Sequence, residues 1–201
     1  MILEINKFNM KILLDKSPLI LILGRRDTGK SFLIQDLVRH QPDITTGSIV
    51  SNTKFSFEHP ISISIHTKFD KNIVSNLFNP EQKRSLLVLD NCMYDTGWFN
   101  DTVIRNLFTN GTHYKQFRII SLPYAIGLPP TLRNHIDYVF IFREPLETNR
   151  KAIYRNYGNM FPTFESFCMV MDQLTENYEC LVIDNKKSSC KLSDRIFWYK
   201  A

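Results

Sequence analysis

A chain of 201 residues that is 43% hydrophobic and 22% charged can bury a sizeable core without a staple, and one domain over residues 1–201 is the simplest division. No apolar run reaches the roughly 18 residues of a membrane-crossing helix, and the opening MILEINKFNMK lacks a signal peptide's long apolar segment, so an intracellular, soluble protein is expected. The net charge of +5 permits contact with nucleic acid but is not concentrated in one block. Cys92, Cys168, Cys180 and Cys190 form no C-x-x-C pair, so thiols are expected rather than disulfides or a zinc site.

Residues 1–16 mix apolar and charged positions and read as a lead-in strand or ribbon, reset by Pro18. Leu19 to Leu23 is a buried strand, and Gly24 to Ser31 then reads GRRDTGKS, which fits G-x-x-x-x-G-K-[ST]. That spacing belongs to a phosphate-binding loop. Gly24 and Gly29 let the backbone turn its N–H groups toward a polyphosphate, and Lys30 reaches the β and γ phosphates. Ser31 offers a hydroxyl to Mg²⁺, and the following helix of residues 30–40 adds its dipole. Arg25, Arg26, Asp27 and Thr28 complete the loop. Asp27 is unusual there, since a carboxylate repels phosphates unless it turns away or pairs with Arg25 or Arg26.

Gly47 to Asn52 is a second strand, and after His59-Pro60 the alternation ISISI suits an edge strand with one wet face. Lys71 to Phe78 forms a short helix ended by Asn79-Pro80. Ser85 to Asp90, SLLVLD, is a buried parallel strand that delivers Asp90 at its C-terminal end, where ligands of open α/β sheets bind, and Asp90 is the candidate second holder of Mg²⁺. Asp101 caps a helix over Thr102 to Thr109 that stops at Asn110-Gly111. Phe117 to Leu122 is a strand, Pro123 to Pro130 a loop, and Tyr138 to Arg143 a strand. Glu147 to Tyr157 and Pro162 to Leu174 are helices, and Tyr178 to Asp184 is a last strand before the polar turn Asn185 to Ser189 and Ile196 to Tyr199. This alternation predicts an α/β fold, a mostly parallel sheet flanked by helices.

LVLDNCMYD (Leu87 to Asp95), the stretch from Leu107 to Glu144 and the ending YECLVIDN…IFWYKA resemble the genome-packaging ATPases of nucleocytoplasmic large DNA viruses. The likeness runs over nearly the whole chain. It implies a P-loop NTPase with an FtsK/HerA-like, RecA-type core, ATP and Mg²⁺ as cofactors, double-stranded DNA and capsid components as partners, a homo-oligomeric ring, and residence in the virion or at the viral assembly site in the host cytoplasm. Lys30 and Ser31 then fall on the phosphates and Mg²⁺, and Asp90 on the magnesium shell.

Three positions depart from the family pattern. Asn91 stands where relatives carry an acidic residue, and its amide can orient a water but not take its proton. Thr112 replaces an Arg in NGTHY, and Pro123 replaces a Gln at the end of FRIISLP, where it offers neither amide nor N–H. Arg105, Arg118, Arg133 and Arg143 are the candidate substitutes for the missing Arg. Arg133 is preferred as a residue facing a neighbour's nucleotide, against the alternative that it pairs with Asp137. His113 and Tyr114 read as packing or surface residues. Lys83-Arg84, Lys115 with Arg118, and Lys186-Lys187 are the candidate DNA contacts. Two other readings stay open: a nucleotide-binding subunit of such a motor with little or no turnover, and a small-molecule kinase, which usually carries an Arg-rich lid not evident here.

Overall fold

A computed structural model describes residues 5–14, 16–52, 55, 62–79, 81, 83–92, 96–125 and 128–201. His59-Pro60, Ile61, Pro80, Gly127 and the Met93 to Asp95 part of LVLDNCMYD lie outside these. The strands β1 (Leu19–Leu23), β2 (Thr46–Val50), β3 (Ser62–His66), β4 (Ser85–Asp90), β5 (Gln116–Leu122), β6 (Tyr138–Ile141), β7 (Cys180–Asp184) and β8 (Ile196–Tyr199) form one sheet in the order β3-β2-β4-β5-β1-β6-β7-β8. The six from β3 to β6 run parallel, and β7 and β8 close the sheet antiparallel.

The helices are α1 (Lys30–Arg39), α2 (Lys71–Ser75), α3 (Thr102–Asn110), α4 (Pro130–Arg133), α5 (Glu147–Tyr157), α6 (Phe164–Leu174) and α7 (Leu192–Arg195). Their layering follows from the strand period of two. Leu19, Leu21 and Leu23 of β1 face a core with α2 to α6, whereas Ile20 and Ile22 face Leu33, Ile34, Leu37 and Val38 of α1. Both faces being covered, the central strands read as unbroken apolar runs. The edge strand β3 is mostly exposed, and its alternation is met only at Ile63: Ile65, expected on the covered face, is 49% exposed.

Caps match the sequence reading where a short polar side chain was invoked. Asp101 accepts from the Val103 N–H and starts α3. Gly111 stops it in an ordinary right-handed conformation (φ −57°), so glycine is needed there for room: a methyl group would collide with the Arg118 guanidinium. Two expectations are corrected. The described part of the lead-in, residues 5–14 and 16, holds no strand: Lys7 makes a single parallel bridge to Trp198, and Asn9 caps a 3₁₀ turn over Met10–Leu13 that, with Phe8, plugs the α1 face of the core. The last parallel-looking stretch begins at Cys180 rather than Tyr178, because Asn177 (φ 49°) and Tyr178 (φ 66°) form a left-handed turn closed by Glu179 N–H to the Glu176 carbonyl at 2.8 Å.

Candidate functional site

The loop from Gly24 to Gly29 leaves the C-terminal end of β1 and is fixed by its neighbours. Gly24 donates its N–H to the Leu122 carbonyl (3.1 Å), and a Cβ at Gly24 would sit 2.7 Å from the Thr28 hydroxyl and 2.9 Å from Phe142 Cβ. Gly29 has φ 103°, a conformation that side chains rarely adopt, and its carbonyl accepts from Leu33 N–H in the first turn of α1. Thr28 Oγ1 braces the loop by donating to the Arg25 carbonyl at 2.8 Å. The expected loop-to-helix geometry is therefore present.

Lys30 folds back over the loop, its Nζ donating to the carbonyls of Gly24 and Arg25, both at 2.7 Å. Burial holds its ammonium below the ordinary lysine value, with Asp90 and then Asp27 pulling the other way. Asp27 itself is at φ 62°, is almost fully exposed and stands 3.9 Å from Arg26, so it turns to solvent with the loosest of pairings.

Because β5 lies between β1 and β4, its end meets the end of β4. Asp90 is 6% exposed, and both of its carboxylate oxygens are held: Oδ2 accepts from Ser51 Oγ at 2.7 Å, and Oδ1 from Ser121 Oγ. Asn91, at φ 52°, donates its N–H to the Ser121 carbonyl, while its buried Oδ1 has no hydrogen-bond partner among the described residues. Burial first and Asp90 second push the Cys92 thiol up to about 12, which disfavours its thiolate form. Lys30, Ser31, Asp90, Asn91 and Pro123 line one cleft of about 1010 Å³ with Arg26, Asp27 and Gly29, and four further residues, Phe32, Tyr178, Lys200 and Ala201, complete its wall.

No protein-family model matches the chain. Two proteins described as uncharacterized do: protein 075L of invertebrate iridescent virus 6, 36% identical over 195 residues, covers 90% of this chain and 74% of its own length, and protein 088R of invertebrate iridescent virus 3, 34% identical over 195 residues, covers 90% and 75%. The chain belongs to the same family as these viral proteins. In fold it matches B204, the DNA-packaging ATPase from Sulfolobus turreted icosahedral virus, at a TM-score of 0.67 across 92% of this chain and 98% of that one with 15% identity. B204 from the related virus 2 in complex with ATP-gammaS gives 0.66 at 16% identity, across 92% and 97%. The matching relatives are proteins of large DNA viruses, and the fold is the P-loop NTPase fold that the DNA-packaging ATPase B204 also has, as the resemblance implied.

Within this viral family fold, the arginines that sequence offered as substitutes are not brought to the cleft. Arg118 is 2% exposed at the start of β5, where its guanidinium donates to the Leu107 (2.6 Å) and Ser17 (2.9 Å) carbonyls and to Thr112 Oγ1 (2.9 Å), and burial lowers it to about 10. Thr112 is thereby tied to the far end of the sheet. Arg143 lies between Asp172 and Glu176, and Arg105 is exposed on α3. Arg133 sits at the opposite end of the sheet from the loop and donates to Asn156 Oδ1. It does not pair with Asp137, which instead accepts from Leu19 N–H (2.8 Å) and Lys186 (3.3 Å).

Two of the three basic pairs offered for DNA are also corrected. Arg84 is 9% exposed, bonded to Asp43, Gln41 and the carbonyls of Leu13 and Lys16, and lies over the Phe117 ring; Arg118 is buried as described. Tyr114 stacks on Phe78, as the packing reading expected. Sequence reasoning missed Phe32 (76% exposed) and Tyr178 (70% exposed), two cleft rings with no ring partner among the described residues. A Cβ at Gly29 would lie 3.6 Å from Tyr178 Cδ1, so that ring stands directly over the loop.

Proposed function

We propose that this chain is an ATP-driven motor that moves double-stranded DNA into a viral capsid, one ATPase domain working in a ring of identical subunits in the virion or at the assembly site in the host cytoplasm. The observation that carries the reading is the convergence of Lys30, Ser31, Asp90 and Asn91 on one cleft behind a loop whose two glycines have no room or freedom to be anything else. The residues suit the group they would hold. A hydroxyl and a carboxylate are hard oxygen donors fit for Mg²⁺, and the Asn91 Oδ1 is a buried acceptor without a partner among the described residues, as a water-orienting group should be before the water arrives.

Bound Mg²⁺ would neutralise charge between the β and γ phosphates. The loop's backbone N–H groups cradle the phosphate chain, and Lys30 exchanges its two carbonyl partners for phosphate oxygens. Ser31 and Asp90 would hold the ion, with Asp90 kept in place by Ser51 and Ser121. Asn91 orients the attacking water, whose proton passes to phosphate because an amide does not take it. Phe32 and Tyr178 flank the mouth as a base subsite. DNA is held through its phosphates, salt-dependently and without sequence preference.

A second reading, a nucleotide-binding subunit with weak turnover, is favoured by one observation: Arg26 is the single arginine lining the cleft among the described residues, and its side chain is 96% exposed. Steady-state ATP hydrolysis with and without duplex DNA, against a Lys30→Ala blank, separates the two. The motor reading expects turnover stimulated by DNA; binding with turnover at the blank level would leave the binding subunit, and no nucleotide binding at all would overturn both.

A further inference from the structure

At the end of the sheet opposite the nucleotide cleft is a second recess, of about 260 Å³. Its walls come from four separate elements: Arg133 at the end of α4, Asn156 and Tyr157 at the end of α5, Asn159 in the turn beyond, and Asn185 and Arg195 from the segment between β7 and β8. No acidic residue among the described ones lines it. Among the described residues neither arginine has a carboxylate within ion-pair distance, whereas Arg84, Arg143 and Arg150 each do.

The hydrogen-bonding inventory is one-sided. Arg133 donates one bond, to Asn156 Oδ1, and Arg195 spends long bonds of 3.3 Å on the Asp184 carbonyl and on Asn185 Oδ1. A guanidinium carries five N–H groups, so most of each fork is unspent. The two Asn oxygens face the arginines, which leaves the Asn156 amide N–H₂ as a further donor. Tyr157 is 5% exposed, and its buried hydroxyl has no partner among the described residues. A buried polar group without a partner costs about 1–3 kcal/mol, and two unpaired guanidinium groups in one small recess repel each other. A tetrahedral dianion relieves both, because it accepts from several directions at once.

We propose that this recess is a phosphate-binding site, separate from the nucleotide cleft. Arg133 and Arg195 clamp the phosphate oxygens from two walls, with the Tyr157 hydroxyl and the Asn156 amide completing the donor set. The phosphate is either a free monoester or inorganic ion, or one diester of a nucleic-acid backbone. This assigns Arg133 to a receptor in its own subunit rather than to a neighbour's nucleotide, and the assignment does not rest on the nucleotide reading.

The test uses the full chain carrying Lys30→Ala, which silences the phosphate loop. Inorganic phosphate at millimolar concentration is expected to shift the side-chain amide resonances of Asn156, Asn159 and Asn185. Arg133→Gln with Arg195→Gln should weaken that response about tenfold or more. Tyr157→Phe keeps the packing and removes an unpaired hydroxyl, so it should weaken phosphate severalfold while leaving the melting temperature equal or higher, a combination a merely structural tyrosine would not give. A 20-base-pair duplex distinguishes the sources. If the site takes a backbone diester, the arginine variants flatten the dependence of log K on log salt by about 1; if it takes a free phosphate, the slope is unchanged while the amide shifts persist. Absence of amide shifts with phosphate, together with an unchanged duplex slope in the variants, would overturn the proposal and leave arginines that only face helix ends.

Discussion

Ser121→Ala removes one of the two hydroxyls that hold Asp90. Ser121 is fully buried at the end of β5, and its Oγ donates to Asp90 Oδ1 while Ser51 serves Oδ2. A hydrogen bond to a charged acceptor contributes about 1.5–3 kcal/mol, and Asp90 is too enclosed for bulk solvent to restore it fully. For a chain of this size 1 kcal/mol moves Tm by about 2–4 °C, so the variant should melt about 3–12 °C lower without nucleotide. The same loss lets the carboxylate rotate. Partners that orient a metal-holding carboxylate are typically worth 10–100-fold in metal affinity. A titration of Mg²⁺ against a fluorescent ATP analogue should therefore shift by that factor, while binding of the analogue in excess chelator stays within about twofold of the native protein, since Lys30 and the loop are untouched. The reasoning is refuted if metal-free and Mg²⁺-supported binding weaken equally, or if the melting temperature does not move.

Tyr178 occupies the second central position of a turn whose two central residues both have positive φ, a place that ordinarily goes to Gly. Tyr178→Gly should raise Tm by relieving about 1–3 kcal/mol of strain, yet weaken ATP about 5- to 100-fold through lost base stacking while leaving inorganic tripolyphosphate unaffected; equal loss of both ligands in a competition assay would remove Tyr178 from the base subsite. Arg84→Met should cost about 2–4 kcal/mol in denaturant unfolding, because it strands the buried Gln41 oxygen and the Leu13 carbonyl at once, with nucleotide affinity of the folded fraction unchanged. An unfolding midpoint within about 1 kcal/mol of the native value would mean that Arg84 is not the clamp its contacts describe.

The nucleotide cleft was legible where local sequence sets geometry. Gly24 and Gly29 are spaced for a loop that only glycine can trace, and SLLVLD is unbroken because β4 is covered on both faces. What holds Asp90 was not legible: Ser51 and Ser121 lie 39 and 31 residues away and meet it only through the order β2-β4-β5. Tyr178 was read as strand because an apolar run begins two residues on, at Cys180, and nothing in a string of residues marks a positive φ on tyrosine. The basic pairs misled for the opposite reason. Adjacent cations look solvated, but Arg118 stands inside FRIISL, a strand buried on both faces, and an arginine there must turn to interior acceptors, a signal that the run itself carried. Gly111 was read correctly as a stop but for the wrong cause, since its need is room for that same Arg118.

The position of β5 also bears on where charge for phosphate chemistry can come from. Its end brings Ser121 and Pro123 to the cleft, but Ser121 is already donating to Asp90 and Pro123 has no N–H to offer. Arg118 is locked at the other end of the strand, and Thr112 with it. Among the described residues of one subunit, the half-buried cation of the cleft is Lys30; Arg26 and Lys200 line it from solvent, where screening weakens them. An isolated subunit should therefore bind nucleotide well and turn it over slowly, and a second cation must arrive from another copy for the large rate factor, about 10³–10⁵, that an arginine supplies to a developing phosphoryl charge. The expectation is concrete: specific ATPase activity rises with protein concentration in step with the solution mass, while nucleotide affinity does not. An isolated subunit that hydrolyses ATP as fast as the assembled form would mean that Lys30 and Arg26 suffice, and would break the link drawn here between the end of β5 and assembly.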